Sequence, residues 1–323
     1  MARILLQIDN RLKLLQKDLP IPDYQHLLPV YGSPELEESL RSLERIHDRD
    51  KDQEDSLEQR YELQGAIAHG GMASVFKAVR RADHREVAIK FLSQRYSAKA
   101  GIQARFEREY QLLSRLEHPN IIEVFDFGAD KGRGFIVMQY IAGGDLASHV
   151  HQPLDIDCLL RIFQEVCSGL QSVHEQGIVH RDIKPQNILL DNSGDKLVPK
   201  LTDFGLATAP DQQGLTRPDL RLGTLEYSAP EQLSNPAHVG PASDIYSLGA
   251  SMYYVLSGGN LPSGDYARLE ELQKGLPGRL HEVVEKALAK RPADRWSSAQ
   301  ELGAVIAEIR EIWAGEQAAG GGS

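Results

Sequence analysis

The fold of this chain is decided by the stretch HRDIKPQNILL at residues 180–190 together with KLTDFG at residues 200–205. Asp182 and Asn187 stand five residues apart in a predicted loop, and Asp203 follows one short hairpin later. Carboxylate and amide oxygens without a histidine or thiolate cluster suit Mg²⁺ better than zinc. Because Mg²⁺ with few protein ligands usually keeps water and substrate phosphate as the others, the stretch predicts a phosphate-handling metal site.

His180 allows two interpretations. It could act as an acid–base catalyst. It also follows the apolar pair at residues 178–179, which favours a core histidine whose ring bonds to the backbone. We favour the core histidine.

Lys90 ends the run VAIK, which alternates apolar and polar residues poorly and is therefore typical of a buried strand. A lysine there loses most of its hydration and needs an anionic partner. Glu109 is a candidate, because the helix predicted over residues 101–116 places it on one face with Phe106, Leu113 and Leu116. Either residue taken alone would be read as a solvated surface group, but together they predict an ion pair.

Two adjacent glycines, Gly70 and Gly71, lie in IAHGGMASV between two strand-like runs. Without Cβ atoms the backbone can approach phosphate oxygens closely. Two adjacent glycines are more often a plain hairpin turn, so this motif alone is weak evidence for a phosphate site.

The part of the chain around these motifs predicts an α+β protein with two lobes. Short β-rich runs separated by turn residues indicate a small antiparallel sheet: YELQGAIA, ASVFKAVR, EVAIKFL, IIEVFDFG and GFIVMQY. Beyond Gly143 helices dominate, and one amphipathic stripe is formed by Leu159, Ile162, Phe163, Val166, Leu170 and Val173. Residues 244–256 are apolar nearly all round, which predicts a central buried helix.

The composition divides the chain into four parts. We expect a charged helical appendage at 1–58, a β-rich lobe with its connection at 59–142, a helical lobe at 143–313, and a flexible linker tail at 314–323. The appendage carries an apolar stripe at Ile4, Ile8, Leu12, Leu15 and Leu19. We expect this stripe to pack on the following domain, on a partner or on a second copy of the chain.

Bulk properties exclude some classes of function. A net charge of −10 argues against nucleic acid or an anionic membrane as the main partner. No apolar run approaches the length of a membrane-spanning helix, so we expect a cytoplasmic protein, with anchoring outside this sequence left open. Cys158 and Cys167 are nine residues apart, which fits neither a zinc pair nor a redox motif and predicts two buried, reduced thiols.

The ordered motifs VAIK, HRDIKPQN, DFG and APE resemble those of the eukaryotic-type (Hanks-type) serine/threonine protein kinases. The resemblance covers roughly residues 61–312. The GGM loop and the segments RFEREY, LEHPNII and PEQ are most similar to the bacterial branch of that family. The resemblance implies a bilobal kinase fold, ATP with Mg²⁺ or Mn²⁺ as cofactors, and protein substrates.

The resemblance also implies roles for single residues. Asp182 would orient the substrate hydroxyl and accept its proton, Lys184 would neutralise the transferring phosphoryl group, and Lys90 would hold phosphates of ATP. Asn187 and Asp203 would bind the metal. The implied nucleotide-binding residues are Ile67, Ala68, Gly70, Gly71, Val75, Ala88, Lys90, Glu109, Met138, Gln139, Tyr140, Asn187 and Asp203.

Three further matches are structural. Glu231 and Arg295 resemble a buried ion pair that braces the substrate-binding segment. Asp244 resembles the residue that holds the backbone of the HRD loop, and Thr224 resembles a threonine that contacts that loop.

The chain departs from the family pattern in two places. Ala68, Gly70 and Ala73 stand where the family usually has three glycines, and we expect weaker or slower nucleotide handling at most. Gln139 replaces a common glutamate in the connection between the lobes. We expect this change to matter little if the backbone makes the contact to the base.

The segment between Asp203 and Glu231 suggests regulation by phosphorylation. Arg181, next to Asp182, could bind a phosphorylated threonine of this segment. Thr216 is the best candidate, because Thr208 is close to the metal motif and Thr224 has a structural match. A solvated threonine without a role remains the alternative.

Two other functions compete with an active protein kinase. A kinase-like binding module is disfavoured because the catalytic residues are retained. A small-molecule kinase of similar fold is disfavoured by the APE motif, Thr224 and the long 203–231 segment.

Overall fold

The computed structural model describes residues 56–70, 73–97, 100–150, 154–204, 225–235, 239–262, 269 and 275–320. The expectations for residues 1–55, Gly71, Thr208, Thr216 and Thr224 lie outside these ranges. Over the described residues the α+β architecture with a β-rich lobe followed by a helical lobe is confirmed.

The first lobe contains the expected antiparallel sheet. Its five strands lie in the order β1-β2-β3-β5-β4. They are β1 (Tyr61–His69), β2 (Ala73–Arg80), β3 (Glu86–Leu92), β4 (Val124–Asp130) and β5 (Arg133–Gln139).

Strand β3 lies between β2 and β5, and both of its faces are covered. Alternate residues point to opposite faces of a strand. Val87, Ile89 and Phe91 join one apolar cluster, while Ala88 and Leu92 join another that includes residues of the helix of this lobe. Lys90 shares the second face, which explains why the VAIK run alternates poorly.

Three helices accompany the sheet: α1 (Leu57–Arg60), α2 (Gln94–Ser97) and α3 (Ala100–Leu113). Phe106 and Leu113 of α3 are buried against Ile136 and Met138 of β5. The helix ends three residues before the predicted Leu116, whose N–H bonds to the Leu113 carbonyl in a tighter turn.

The second lobe is helical, with one hairpin of β6 (Ile188–Asp191) and β7 (Val198–Leu201). Within the described residues its helices are α4 (Ile156–Glu175), α5 (Pro230–Ser234), α6 (Pro241–Leu256), α7 (Leu280–Ala287) and α8 (Ala299–Gly320). Short 3₁₀ helices cover Leu146–Val150, Pro185–Asn187, Leu225–Tyr227 and Pro292–Asp294.

Helix α4 is the amphipathic helix expected from the sequence. Asp155 caps its N-terminus by accepting a hydrogen bond from the Cys158 N–H at 2.9 Å. Its apolar stripe is buried, and Gly303 of α8 packs so closely on Cys167 that a Cβ there would lie 2.9 Å from the cysteine Cβ. Both cysteines are free thiols, as expected, but only Cys167 is buried, whereas Cys158 is partly exposed.

Helix α6 is central, and its apolar sequence is buried on most sides. Helix α8 continues to Gly320, so residues 314–320 are helical where a flexible tail was expected. The alanines of EQAAG favour a helix once it has begun on a packed scaffold. None of the helices in the described ranges is long and apolar enough to cross a bilayer.

Candidate active site

Lys90 is placed by β3 within reach of two carboxylates. Its Nζ lies 2.6 Å from Oε1 of Glu109 on α3 and 2.9 Å from Oδ1 of Asp203, just after β7. The Lys90 and Glu109 side chains are 12% and 7% exposed. The ion pair predicted from the sequence is therefore present, and Asp203 joins it.

The charges in this cluster support one another. Burial alone would lower the pKa of the Lys90 ammonium, but the charges of Asp203 and Glu109 outweigh it and raise that pKa. Desolvation likewise opposes ionisation of Asp203, yet the Lys90 charge and hydrogen bond hold its pKa below the ordinary value. Lys90 and Asp203 thus stabilise each other's charged forms, whereas burial raises the pKa of Glu109 above its ordinary value despite the nearby Lys90 charge.

Asp182, Lys184 and Asn187 form a second group in the loop before β6. Nζ of Lys184 lies 3.0 Å from Oδ2 of Asp182. Nδ2 of Asn187 donates to the same Oδ2 at 2.9 Å and to the Asp182 carbonyl at 2.7 Å. Burial raises the pKa of Asp182 above its usual value, although Lys184 and Asn187 act in the opposite direction.

Two side chains of the site could hold a metal ion. Both amide hydrogens of Asn187 point to Asp182, so its Oδ1 faces away from Asp182 and can bind a cation. Asp203 adds a carboxylate. Within the described residues no group of three or more His, Cys, Asp or Glu could hold a metal alone. A cation here needs water or phosphate ligands, which suits Mg²⁺ or Mn²⁺.

The loop that carries His180, Arg181 and Asp182 is held in place by α6. A buried Asp244 carboxylate accepts hydrogen bonds from the backbone N–H groups of His180 and Arg181, each at 2.8 Å, and from Nε2 of His174 at 2.8 Å. The role suggested for Asp244 is confirmed. Arg181 has φ of +68°, a strained conformation that persists only where neighbouring contacts fix it.

His180 is a core residue, as favoured from the sequence. It is fully buried, its Nε2 lies 3.1 Å from the Thr202 carbonyl, and its ring packs on Phe204 with centroids 4.4 Å apart. Burial lowers its pKa, so the ring is neutral and donates to that carbonyl.

Some of the expected nucleotide-binding residues come together and others do not. Val75, Ala88, Met138 and Tyr140 belong to one apolar cluster beside Lys90. Ile67 is 49% exposed on β1. Ala68 is also exposed, and the Gly70 N–H bonds to the Ala73 carbonyl in the turn after β1.

Two residues of this cluster were missed from the sequence. Ile141, in the connection after β5, is buried, and Leu189 of β6 packs on the same cluster. Leu189 is one of several residues of the second lobe in this cluster, with Val173 and Phe204. Leu189 lies in the apolar run NILL at residues 187–190, where nothing distinguishes it from an ordinary core residue.

Gln139 has a side-chain contact that was not expected. Its Nε2 donates to Oδ2 of Asp191, the last residue of β6, at 3.2 Å. The side chain at this position therefore bonds across the two lobes.

Glu231 and Arg295 form the expected brace. Two guanidinium nitrogens of Arg295 lie 2.6 and 2.8 Å from the two carboxylate oxygens of Glu231. Arg295, whose side chain is fully buried, also donates to the carbonyls of Ala242, Ala289 and Lys290. Every donor group of the guanidinium is thus used, which is what burial of this charge requires.

The chain is similar to known proteins over most of its length. The protein kinase domain family model matches residues 61–304. The serine/threonine-protein kinase PknL of Mycobacterium tuberculosis is 34% identical over 270 residues, which cover 79% of this chain and 67% of PknL. PrkC of Bacillus subtilis is 36% identical over 262 residues, which cover 76% of this chain and 40% of PrkC.

The solved structures give the same result for the fold. The crystal structure of the Mycobacterium tuberculosis PknI kinase domain is similar with a TM-score of 0.62 and 31% identity. The likeness covers 77% of this chain and 96% of that domain.

Proposed function

The chain belongs to the protein kinase family, in its serine/threonine branch, and from this premise we propose that it is an active enzyme. It transfers the γ-phosphoryl group of ATP to serine and threonine hydroxyls of protein substrates. The observation that carries the proposal is Lys90 paired with both Glu109 and Asp203, beside an intact Asp182–Lys184–Asn187 group.

Lys90 and the apolar cluster divide the work of nucleotide binding. Val75, Ala88, Met138 and Leu189 supply apolar surface for the base. Lys90, kept protonated by its two carboxylates, holds phosphate oxygens. When bound, ATP supplies the phosphoryl group and a divalent ion neutralises part of its charge.

Asp182 orients the attacking hydroxyl and accepts its proton. Its Oδ2 is occupied by Lys184 and Asn187, whereas Oδ1 has only a 3.4 Å contact with Lys184. We therefore assign proton acceptance to Oδ1. Lys184, fixed by the same carboxylate, brings positive charge to the transferring group, so that positioning and charge neutralisation supply most of the rate enhancement.

Metal binding is assigned to Asn187 Oδ1 and the Asp203 carboxylate, with Mg²⁺ as the preferred ion and Mn²⁺ as a substitute. Ala68 and Ala73 replace two of the three glycines usual in the family, and only Gly70 is kept. We expect this change to make nucleotide binding weaker or slower. Ile67, Ala68 and Gly71 keep their proposed nucleotide contacts.

The appendage at residues 1–58 is proposed to regulate the kinase domain or to join two copies of the chain. The apolar stripe of residues 4–19 would otherwise expose a contiguous apolar patch. Uniformly fast amide hydrogen exchange over residues 1–19 of the intact protein would contradict this role.

One assay tests the function against its competitors. The protein is incubated with Mg²⁺ and γ-labelled ATP, with and without a generic basic protein, next to the Asp182→Asn variant. We expect label on serine and threonine of the added protein, and only in the wild type. Nucleotide binding without transfer would indicate a binding module, and label only on small metabolites of a cell extract would indicate a small-molecule kinase.

A further inference from the structure

Gln139 and Asp191 each end a strand, and each belongs to a different lobe. Gln139 ends β5, where its backbone N–H bonds to the Glu123 carbonyl at 2.8 Å. Asp191 ends β6, and its Oδ1 accepts from the Ser193 N–H at 3.0 Å, which fixes the carboxylate. The amide of Gln139 must turn its N–H₂ group to the carboxylate, because its Oε1 would be repelled.

The amide has an unusual environment. Oε1 of Gln139 is buried and has no hydrogen-bond partner among the described residues. A buried acceptor without a partner is unfavourable, because it has lost its hydrogen bonds to water. A glutamine with such an unpaired oxygen is expected only where its amide N–H₂ group makes a useful contact. That contact is the hydrogen bond to Asp191.

The chain that follows Gln139 lies directly against β6. The Leu190 N–H bonds to the Gly144 carbonyl at 2.9 Å. A Cβ atom on Gly143 would lie 2.0 Å from the Leu190 carbonyl oxygen, so no side chain fits between the two segments. The connection is thus fixed to β6 at its start by a side-chain hydrogen bond and near its end by the backbone.

Residues between these two contacts belong to the apolar cluster beside Lys90. Tyr140 and Ile141 belong to it from the connection, and Leu189 belongs to it from β6. The distance between the connection and β6 therefore sets the width of the apolar surface proposed for the base. The contact from Gln139 to Asp191 lies where that width is determined.

We propose that the Gln139–Asp191 hydrogen bond is a positioning contact that holds the two lobes in register for nucleotide binding. The inference rests on the proposed function. It also explains the departure from the family pattern at residue 139, because a glutamate there would place a second carboxylate about 3 Å from Asp191. Gln139 acts through this contact and needs no side-chain contact with the nucleotide.

The test is a charge exchange. Gln139→Glu creates the repulsion, Asp191→Asn keeps a hydrogen bond of neutral groups, and the double variant Gln139→Glu/Asp191→Asn restores a charge-assisted hydrogen bond with donor and acceptor reversed. The exposed Gln94→Glu variant is the matched control for the added charge. Dissociation constants for a fluorescent ADP analogue are measured with kcat and KM for ATP.

We expect Gln139→Glu to weaken nucleotide binding about tenfold, the loss of one hydrogen bond to a charged group. The double variant should bind within about threefold of the wild type, and kcat at saturating ATP should change much less than KM. The control should bind like the wild type.

The result that overturns the inference is a folded Gln139→Glu variant with unchanged nucleotide affinity, or a double variant no better than the single one. Thermal unfolding of each variant shows whether it is folded. If the wild type binds the ADP analogue but transfers no phosphate, the proposed function fails while the binding comparison still decides this inference. A wild type that binds no nucleotide refutes both.

Discussion

The side-chain amide of Gln232 donates a hydrogen bond to the backbone carbonyl of Arg181, with Nε2 and O 3.0 Å apart. Oε1 of the same side chain accepts from the Ala229 N–H at 2.9 Å. One glutamine therefore ties the start of α5 to the loop that carries Asp182. The Arg181 peptide is held from the other side by Asp244.

Replacing Gln232 should affect catalysis through this loop. We expect Gln232→Leu to lower kcat about tenfold, because losing one hydrogen bond of about 1 kcal/mol lets the strained Arg181 backbone relax and shifts Asp182. The dissociation constant for ADP should stay unchanged, since Lys90 and the apolar cluster are not involved. A folded Gln232→Leu enzyme with wild-type kcat would show that the contact is only structural.

Asp182 should control the acid limb of the pH–rate profile. Asp182→Asn should lower kcat by roughly 10²–10⁴-fold while nucleotide binding persists. Because burial raises the pKa of Asp182, the carboxyl takes up a proton at a higher pH than a solvated aspartic acid. Activity should therefore be lost, as pH falls, at a pH above the ordinary aspartate pKa of 3.8. The profile is measured as kcat at saturating ATP, and a profile that stays flat down to pH 4 would contradict the assignment.

Asp203 should be required for the divalent ion. Removing the metal with a chelator should abolish phosphoryl transfer, and added Mg²⁺ or Mn²⁺ should restore it. Asp203→Ala should lose activity and, measured by electron paramagnetic resonance with ADP present, should bind Mn²⁺ much more weakly. Asp83→Ala, which removes an exposed carboxylate paired with Arg80, is the control. Normal Mn²⁺ binding by Asp203→Ala would refute the site.

The Glu231–Arg295 brace should contribute to stability in a pH-dependent way. Glu231→Gln leaves the buried Arg295 charge uncompensated and should lower the free energy of unfolding by about 3 kcal/mol. Desolvation raises the pKa of Glu231, but Arg295 and Ser243 outweigh it and the net shift is downward. A lowered folded-state pKa gives stability that is present above the unfolded pKa and is lost as pH falls through the folded one.

The measurement is urea unfolding of both proteins between pH 7 and pH 3. The difference between wild type and Glu231→Gln should shrink toward acid pH. A difference that is small at pH 7, or constant over the range, would show that the pair adds little.

Thr216 should be the site of autophosphorylation that activates the enzyme, through a phosphate bound by Arg181. Mass spectrometry after incubation with ATP should find Thr216 phosphorylated. The Thr216→Ala variant should transfer phosphate slowly at first and should not speed up during incubation with ATP. Thr208→Ala is the matched control. An unmodified Thr216 together with a fully active alanine variant would exclude this switch.

The sequence predicts those parts of the fold that rest on local patterns. The strands of the first lobe follow from short β-rich runs that are separated by turn residues. The burial of α6 follows from its uniformly apolar composition. Lys90 and Glu109 could be paired from the sequence because each charge was costly without the other. Asp244 and Glu231 needed the family resemblance.

Contacts between distant segments could not be predicted in this way. Leu189 and Ile141 look like any core residues until the two lobes meet. The amides of Gln139 and Gln232 carry no charge that demands a partner, so the sequence does not predict their hydrogen bonds, although Gln139 stands out as a departure from the family pattern. The helix through residues 314–320 was missed because a glycine-rich end lowers local helix propensity, while packing of the earlier turns of α8 sustains the helix.

The double pairing of Lys90 also decides the chemical reactivity of its amine. An ammonium with a raised pKa has almost no free lone pair at neutral pH, so acylating reagents and aldehydes should modify Lys90 far more slowly than exposed lysines. Its nucleophilicity should rise when either Glu109 or Asp203 moves away. Covalent reagents aimed at Lys90 would therefore distinguish a state in which Glu109 of α3 contacts Lys90 from one in which α3 has moved away.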